Sequence, residues 1–159
     1  MATRTYLGAL TSLLAVLAIS SPVIGAVVIN EVELNPPGDG NEWVELYNNG
    51  AEDVDISRWT VWIVDTEPAW TGVMRIPQET LIPPGGFYVA EGDRNWIHPT
   101  GAGTVILKRE DGMEVDKTPL LSDRSDNFFT HFRHPDGFDT DQRSDWIFGK
   151  GTRNGSNSL

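Results

Sequence analysis

The chain has 159 residues, no cysteine and a formal net charge of −11 at pH 7. The lack of cysteine excludes disulfides and thiol chemistry in this chain, and the excess of carboxylates disfavours nucleic acid and anionic lipid as partners. After the first 25 residues, the remaining length suits one domain with a single hydrophobic core.

Residues 1–25 have the layout of a secretory signal peptide. Arg4 supplies the positive start, residues 7–19 are uncharged and mostly apolar, and small residues lead to a cleavage point after Gly25 or Ala26. The apolar run is shorter than the roughly 20 residues of a membrane span, and a retained membrane anchor is the alternative. We therefore expect a protein that is secreted or held at the cell envelope, with no membrane span after cleavage.

Two extended runs, residues 27–34 and residues 43–47, follow the signal segment and are joined by a short turn rich in Pro and Gly. They predict a pair of β-strands. A strict alternation of side chains places Val28 and Val32 on one face of the first strand and Glu31 on the other. Glu is uncommon in strands unless its face is wet or its carboxylate is held, so these positions call for an explanation.

Further strands are predicted between turn signals, and no helical period is found after residue 26. They are residues 59–65, 73–76, 87–90, 104–109, 114–117 and 128–132. The dipeptide Asp111-Gly112 between two of these runs predicts a tight hairpin. The expected core residues are Val28, Val32, Val44, Leu46, Trp59, Val61, Ile63, Val89, Ile106 and Val115.

Four motifs follow one another along the chain. They are residues 28–32 with 42–48, residues 55–61 around Ser57 and Trp59, residues 82–89 with Pro84-Gly85, and residues 133–148 with Asp145-Trp146. Their order resembles that of lamin tail domains over about residues 27–155. The resemblance implies an all-β, immunoglobulin-like β-sandwich. It also implies contacts with proteins, and with nucleic acid or the envelope where such domains accompany nucleases or other hydrolases.

The last part of the chain, residues 135–159, is rich in Gly, Asp, Asn and Ser and has few apolar side chains. We expect it to wrap the sandwich, with Trp146 as a buried anchor like Trp59. The domain is therefore predicted to span residues 26–155, and residues 156–159 are predicted to be disordered.

A group of polar residues lies in the two strands that should pair, and it has two interpretations. It could form a surface patch for a ligand or cation, or a hydrogen-bonded network that fixes the strand register. The members of the group considered for binding are Asn30, Glu31, Glu42 and Glu45. Two tryptophans in loop-like surroundings, Trp70 and Trp96, are the candidates for an exposed aromatic contact.

The acidic segment 136–145 is the candidate cation site. Carboxylates two residues apart on an irregular loop can converge on calcium, which prefers six to eight oxygen ligands. The expected donors are Asp136, Asp139, Asp141 and Asp145. The order of residues is not that of an EF-hand, and the alternative is a set of turns in which the carboxylates accept backbone N–H groups.

The sequence contains no recognisable nucleophile motif, and His131 and His134 should face opposite sides of their strand. The prediction is therefore a secreted, non-enzymatic interaction module that binds an envelope or extracellular protein. Nucleic-acid binding by this chain alone is not expected. The alternative is a small cation-dependent hydrolase or nuclease-associated module that uses the loop 136–145.

Overall fold

The computed structural model describes residues 27–65, 71–92, 96 and 102–159. The predicted signal peptide, with its cleavage point, and the predicted contact residue Trp70 lie outside the described residues. The strands are β1 (Val27–Glu33), β2 (Trp43–Asn48), β3 (Val54–Asp55), β4 (Thr60–Asp65), β5 (Thr71–Arg75), β6 (Leu81–Ile82), β7 (Phe87–Glu91), β8 (Ala102–Lys108), β9 (Glu114–Lys117), β10 (Leu121–Ser122), β11 (Phe129–Arg133) and β12 (Trp146–Lys150). A single 3-10 turn, Arg143–Asp145, precedes β12.

Two antiparallel sheets pack face to face. Sheet 1 has the strand order β12-β11-β1-β2-β7, and sheet 2 has the order β10-β8-β4-β5 with β9 also paired to β8. The short strands β3 and β6 pair with each other beside them. This is the immunoglobulin-like β-sandwich that the sequence predicts, and no helix among the described residues is long and apolar enough to cross a membrane.

The core lies between the two sheets and consists mainly of β-branched and leucine side chains, which suit a pleated, buried surface. Sheet 1 supplies Val27, Ile29, Val32, Val44, Leu46, Ala90 and Trp146, and sheet 2 supplies Val61, Ile63, Met74, Val105, Leu107 and Leu121. A fully buried Val, Leu or Ile side chain contributes roughly 1.5–3 kcal/mol to folding before entropy costs, so this layer dominates the stability of the fold.

The eight predicted strands are all present, and their ends differ from the prediction by at most two residues. The hairpin at Asp111-Gly112 is also confirmed. Gly112 has φ +84°, a conformation that suits glycine, and its N–H donates to the carbonyl oxygen of Arg109 at 3.0 Å.

The predicted faces of β1 are wrong for its first half. The pairing of β1 with β2 shifts between Ile29 and Glu31, so that Asn30 is an extra residue in a β-bulge. Ile29 therefore lies opposite Leu46 and faces the core with Val32. Val28 is buried on the opposite face of sheet 1, because a bulge inverts the alternation on one side of it.

Two other core predictions, Ile106 and Val89, are wrong for a related reason. Val105 and Leu107 enter the core from β8, and Ile106 is half-buried on the outer face of sheet 2 beside Trp62. An unbroken apolar run such as that of β8 does not reveal which alternate residues face inward. Val89 is likewise half-buried, next to the buried Ala90.

The end of the chain is more ordered than predicted. Strand β12 was not predicted at all, and it pairs along its whole length with β11. Trp146 is buried as expected, whereas Trp59 is half-buried and packs against the core from one side. Asn157 is buried and hydrogen-bonded, so the predicted disorder from residue 156 does not hold there.

Candidate functional site

The bulge residue Asn30 is the centre of a buried group of polar side chains. Its Nδ2 group donates to Oε1 of Glu45 at 3.1 Å and to Oδ1 of Asp136 at 3.0 Å. Its own Oδ1 accepts the N–H of Gly137 at 3.0 Å. Both amide hydrogens and the side-chain oxygen are thereby hydrogen-bonded, and the bulge is joined to β2 and to the loop after β11.

Residues 151–157, which we call the C-terminal segment, cover the carboxylates of β1 and β2. Oε1 of Glu31 accepts the N–H of Thr152 at 2.9 Å and the hydroxyl of Thr130 at 2.6 Å. Oε2 of Glu45 accepts the N–H of Asn154 at 2.6 Å. The segment therefore presents its backbone donors to two acids that lie directly opposite each other in the sheet.

Asn157 fixes the end of this segment. Its Nδ2 group donates to the carbonyl oxygens of Arg133 and Asn30, at 2.9 and 3.3 Å. Its backbone N–H donates to Oδ1 of Asp136 at 3.0 Å, and its side-chain oxygen accepts the hydroxyl of Thr152 at 2.7 Å. One asparagine thus donates to two carbonyl groups of sheet 1.

The four polar residues predicted for binding, three in β1 and β2 and Glu42 directly before β2, are all buried, which decides between their two interpretations. Asn30, Glu31 and Glu45 have no exposed surface, and Glu42 is also buried. An exposed patch at these positions is therefore wrong, because the C-terminal segment and the loop after β11 lie over it. The hydrogen-bonded network is the interpretation that describes Asn30, Glu31 and Glu45.

Trp96 is also not the exposed aromatic contact that was predicted. Its side chain is only 3% exposed and belongs to the hydrophobic core. Gly72 and Gly92 allow this, because a Cβ atom at either position would come within 2.9 Å of atoms of Trp96. Loop-like flanking sequence predicts exposure of the backbone, but a large aromatic side chain on a loop can turn into the core.

Burial raises the pKa values of the acids in this region. Desolvation raises the pKa of Glu45 to about 7. The hydrogen bond from Asn30 lowers this pKa, and the neighbouring charge of Glu31 raises it further. Desolvation likewise raises the pKa of Glu31, and it raises that of Glu33 to about 7. These groups therefore bind protons in the folded protein at pH values where they are ionised in the unfolded chain.

A buried arginine, Arg133, links the two sheets. Its side chain is 1% exposed, and its Nε–H donates to the carbonyl oxygen of Ile29 at 2.8 Å. One of its terminal nitrogens lies 3.3 Å from Asp116 on sheet 2, and the other lies 2.6 Å from Asp139. Asp145 is 3.6 Å from the same guanidinium. Three carboxylates therefore surround one buried positive charge, and of the three only Asp139 is partly exposed, with 24% of its side chain accessible.

This arrangement uses most of the acids that were predicted to bind calcium. Asp139 and Asp145 pair with Arg133, and Asp145 also accepts the N–H and the hydroxyl of Thr140, each at 2.7 Å. Asp136 accepts from Asn30 and Asn157, and Asp141 is exposed. Within the described ranges, no group of three or more His, Asp or Glu side chains is arranged to hold a metal ion. The ion pairs of Asp139 and Asp145 with Arg133 therefore act against a calcium site here, and thermal unfolding in the presence of calcium would test it.

An open cavity of about 410 Å³ lies next to the buried acids, on the outer side of sheet 1. Glu33, Trp43 and Thr130 line it from the sheet, and Phe128 stands at its side with 73% of its surface exposed. Arg153 lies across the ring of Trp43, with its guanidinium carbon 5.4 Å from the ring centroid. We call this space the Glu33 cavity.

Sequence reasoning missed the residues that matter most in these two places. Arg133 carried a signal, since a charged residue at the end of a strand next to a conformationally restricted His134-Pro135 pair needs a buried partner or solvent. Glu33 and Phe128 carried no such signal. They are 95 positions apart in the chain and come close together only in the folded protein.

Comparison with known proteins places the chain in context. The family model described as Lamin Tail Domain matches residues 20–120, which is well over half of the sequence. A search of curated proteins finds no match. The matched range includes both acids of the β1–β2 pair but not β11, β12 or the C-terminal segment, which hold those acids in place.

Proposed function

The chain belongs to the lamin tail domain family, and we propose that it serves as a secreted, non-enzymatic interaction module. Its partner would be a protein of the cell envelope or of the extracellular medium. The family is one of immunoglobulin-like domains without enzymatic activity, which supports a role in binding rather than in catalysis.

Exposed phenylalanines are the observation that carries the proposal. Phe128, Phe129 and Phe148 are 73%, 43% and 40% exposed, and all three lie on or next to the β11–β12 pair. Phe129 and Phe148 contact each other with their ring centroids 5.6 Å apart. Aromatic side chains are enriched in the centres of protein interfaces, so their grouping at one edge of sheet 1 favours a protein partner there.

The net charge of −11 and the ion pairs of three exposed basic residues argue against nucleic acid as the partner. Arg58 pairs with Glu110 at 2.7 Å, Lys117 with Glu114 at 3.3 Å, and Arg153 with Glu91 at 2.6 Å. A basic side chain that already faces a carboxylate neutralises a phosphate poorly, and phosphate contacts supply most non-specific affinity for DNA. We expect no micromolar complex with duplex DNA at physiological salt.

The proposed export rests on the sequence of residues 1–25, with their basic start, apolar run and small-residue exit. Mass spectrometry of the protein isolated from its host should find an N-terminus near Ala26 or Val27 in the envelope or extracellular fraction. A chain that keeps Met1 and stays in the cytoplasmic fraction would contradict export.

The alternative, a cation-dependent hydrolase at the loop 136–145, would need free carboxylates to hold its metal ion. Asp139 and Asp145 face Arg133 instead, which supports the interaction module. Nuclease and esterase assays with and without calcium or magnesium separate the two functions. Activity that depends on the added cation would favour the hydrolase.

The interaction itself can be tested with the full chain, affinity-tagged and produced in its own host. Chemical cross-linking followed by purification should recover a specific envelope or extracellular protein. A Phe129→Ser/Phe148→Ser double variant should recover much less of it, and Leu81→Ser, another exposed apolar residue away from β11 and β12, should recover the same amount. Equal recovery by all three proteins would show that this edge is not the interface.

A further inference from the structure

We propose that the Glu33 cavity receives a basic side chain, lysine or arginine, from the protein partner, with Glu33 as its counter-charge. This inference rests on the proposed interaction function and names the chemistry by which the partner would be recognised. It concerns a surface next to the Phe129–Phe148 pair, because Phe128 lines the cavity and Phe129 and Phe148 do not.

Glu33 is the first reason. Its side chain lines the cavity, yet the residue is only 3% exposed. Its Oε1 accepts a hydrogen bond from the N–H of Asn35 at 3.0 Å. Among the described residues, no lysine or arginine lies within ion-pair distance of it. A buried carboxylate without a positive partner is costly, and a cation that enters the cavity would remove that cost.

The charges around Glu33 act in the same direction. The neighbouring groups that interact with its carboxylate by charge are three further acids, Asp123, Glu31 and Glu42. Arg153 also lines the cavity, but it pairs with Glu91 at 2.6 Å, so the charges next to Glu33 give that end of the cavity a negative potential. A cation is attracted there, and an anionic group is repelled.

The aromatic walls suit the same kind of ligand. Phe128 offers an exposed ring face at the side of the cavity, and cations bind over such faces. The chain itself shows that this surface holds a guanidinium group. Arg153 lies over Trp43 at 5.4 Å and pairs with Glu91 at 2.6 Å, both on the cavity wall. The partner's side chain would sit beside Arg153, between Phe128 and Glu33.

The cavity is formed before any partner arrives. Pro36 and Pro37 stiffen one wall, and the N–H of Gly38 donates to Asp126 at 3.0 Å, which ties that wall to the loop before Phe128. On the other side of the cavity, Gly151 packs closely against Thr130. A Cβ atom at Gly151 would come within 2.8 Å of that side chain. A volume of about 410 Å³ is at the low end of ordinary ligand sites and suits one long side chain rather than a whole cofactor.

The experiment uses the full chain and three peptides: acetyl-Gly-Arg-Gly-amide, its lysine analogue and its citrulline analogue. Citrulline has nearly the shape of arginine but no charge. Binding is followed by NMR at pH 8, where Glu33 is ionised, from the backbone signals of Trp43, Phe128 and Thr130. We expect saturable shifts at these signals with the arginine and lysine peptides, and affinity for the citrulline peptide that is weaker by roughly tenfold or more.

Variants of the protein separate recognition from folding. Glu33→Gln removes the charge but keeps an oxygen for the N–H of Asn35, so it should weaken binding of the arginine peptide by roughly tenfold while the melting temperature stays equal or rises. Phe128→Ala, at a highly exposed position, should weaken binding without unfolding the protein. Glu52→Gln removes one exposed charge elsewhere and is the matched control, with unchanged binding.

Three results would overturn the inference. They are the absence of shifts with the arginine and lysine peptides, equal affinity for the citrulline peptide, and a Glu33→Gln variant that binds as tightly as the parent. The partner recovered by cross-linking distinguishes this failure from that of the proposed function. If Glu33→Gln recovers that partner as well as the parent does, the interaction module stands and the Glu33 cavity is not its recognition site.

Discussion

Arg133 and Ile29 meet at the bulge of β1, where the Nε–H of the arginine donates to the carbonyl oxygen of Ile29 at 2.8 Å. The N–H of Ile29 donates in turn to Asp116 of sheet 2 at 2.7 Å, and Asp116 lies 3.3 Å from the same guanidinium. The N–H and the carbonyl group of Ile29 are thus both hydrogen-bonded by the Arg133–Asp116 ion pair, which joins the two sheets. Because the bulge decides which side chains of β1 enter the core, this pair also fixes the register of sheet 1.

Replacement of Arg133 by methionine should therefore destabilise the protein by roughly 3–5 kcal/mol, because it leaves buried carboxylates without their positive partner. Denaturant unfolding measures the change. The matched control is Arg143→Met, at an exposed arginine of the 3-10 turn before β12, which should change stability by less than about 0.5 kcal/mol. If Arg133→Met lowers the free energy of unfolding by less than about 1 kcal/mol, the carboxylates around Arg133 become hydrated or protonated with little loss of stability.

Stability should fall as the pH rises from about 5 to 8. The pKa values of Glu33 and Glu45 are raised from 4.5 to about 7, chiefly by burial, and that of Asp116 is raised from 3.8 to about 6. Between the unfolded and folded pKa values of these acids the folded protein binds more protons than the unfolded chain, so each step up in pH favours unfolding. Burial lowers the pKa of His131, which acts in the opposite direction, but the buried acids outnumber this one histidine. Thermal unfolding should show a higher melting temperature at pH 5.5 than at pH 8.

Glu33→Gln is the variant that checks the cause of this pH dependence. It removes one of the acids whose pKa is raised, so its melting temperature should change less between pH 5.5 and 8 than that of the parent. Glu52→Gln, at an exposed site, should follow the parent curve. A parent whose stability increases steadily from pH 5.5 to 8 would contradict the raised pKa values.

The strands could be predicted from the sequence because their signals are local. Alternation and turn residues define β2 and the β8–β9 hairpin within short windows, and both are found. Strand β12 was missed because its β-prone run, Trp146-Ile147-Phe148, is only three residues long and is followed by Gly149 within a segment rich in Gly and Asp. It forms because β11 offers it a partner edge and because Trp146 is buried.

The faces and the polar network could not be predicted in the same way. The bulge at Asn30 depends on groups far away in the chain, such as Asp116, and moves every preceding residue of β1 to the other face. The burial of Glu31 depends on Thr152, 121 positions later. Local patterns carry no information on such contacts, so the acids of the strands looked available when they are covered.

Asn157 should be the residue that holds the C-terminal segment in place. Asn157→Ala removes hydrogen bonds to the buried carbonyl oxygens of Asn30 and Arg133, and a buried group left unsatisfied costs about 1–3 kcal/mol. Hydrogen exchange should show faster exchange at the N–H groups of Thr152 and Asn154. Ser158→Ala, next to it and exposed, is the control and should alter neither quantity.

The two tryptophans that were predicted as buried anchors should differ in their contributions. Trp146→Ala should cost roughly 3–5 kcal/mol, because the side chain is buried and also stacks under the guanidinium of Arg133. Trp59 is half-buried and packs against the core from one side, so Trp59→Ala should cost clearly less. Equal losses in denaturant unfolding would show that both sites bury the same amount of aromatic surface.

Calcium provides the test that separates the two interpretations of the loop 136–145. A calcium site would raise the melting temperature in millimolar calcium, with little effect of magnesium, and an Asp139→Asn/Asp141→Asn double variant would lose that rise. The ion pair of Asp139 with Arg133 at 2.6 Å leads us to expect no rise, because that carboxylate already has a cationic partner.

The two single variants sharpen the test of this loop. Asp139→Asn should lower stability by about 1–3 kcal/mol with or without calcium, because it weakens a hydrogen bond to a buried charge. Asp141→Asn should be nearly neutral, since Asp141 is exposed and has φ +57°, a conformation that asparagine adopts as readily as aspartate. If calcium raises the melting temperature of the parent, and either single variant reduces that rise while remaining folded, the loop binds the cation despite its ion pairs with Arg133.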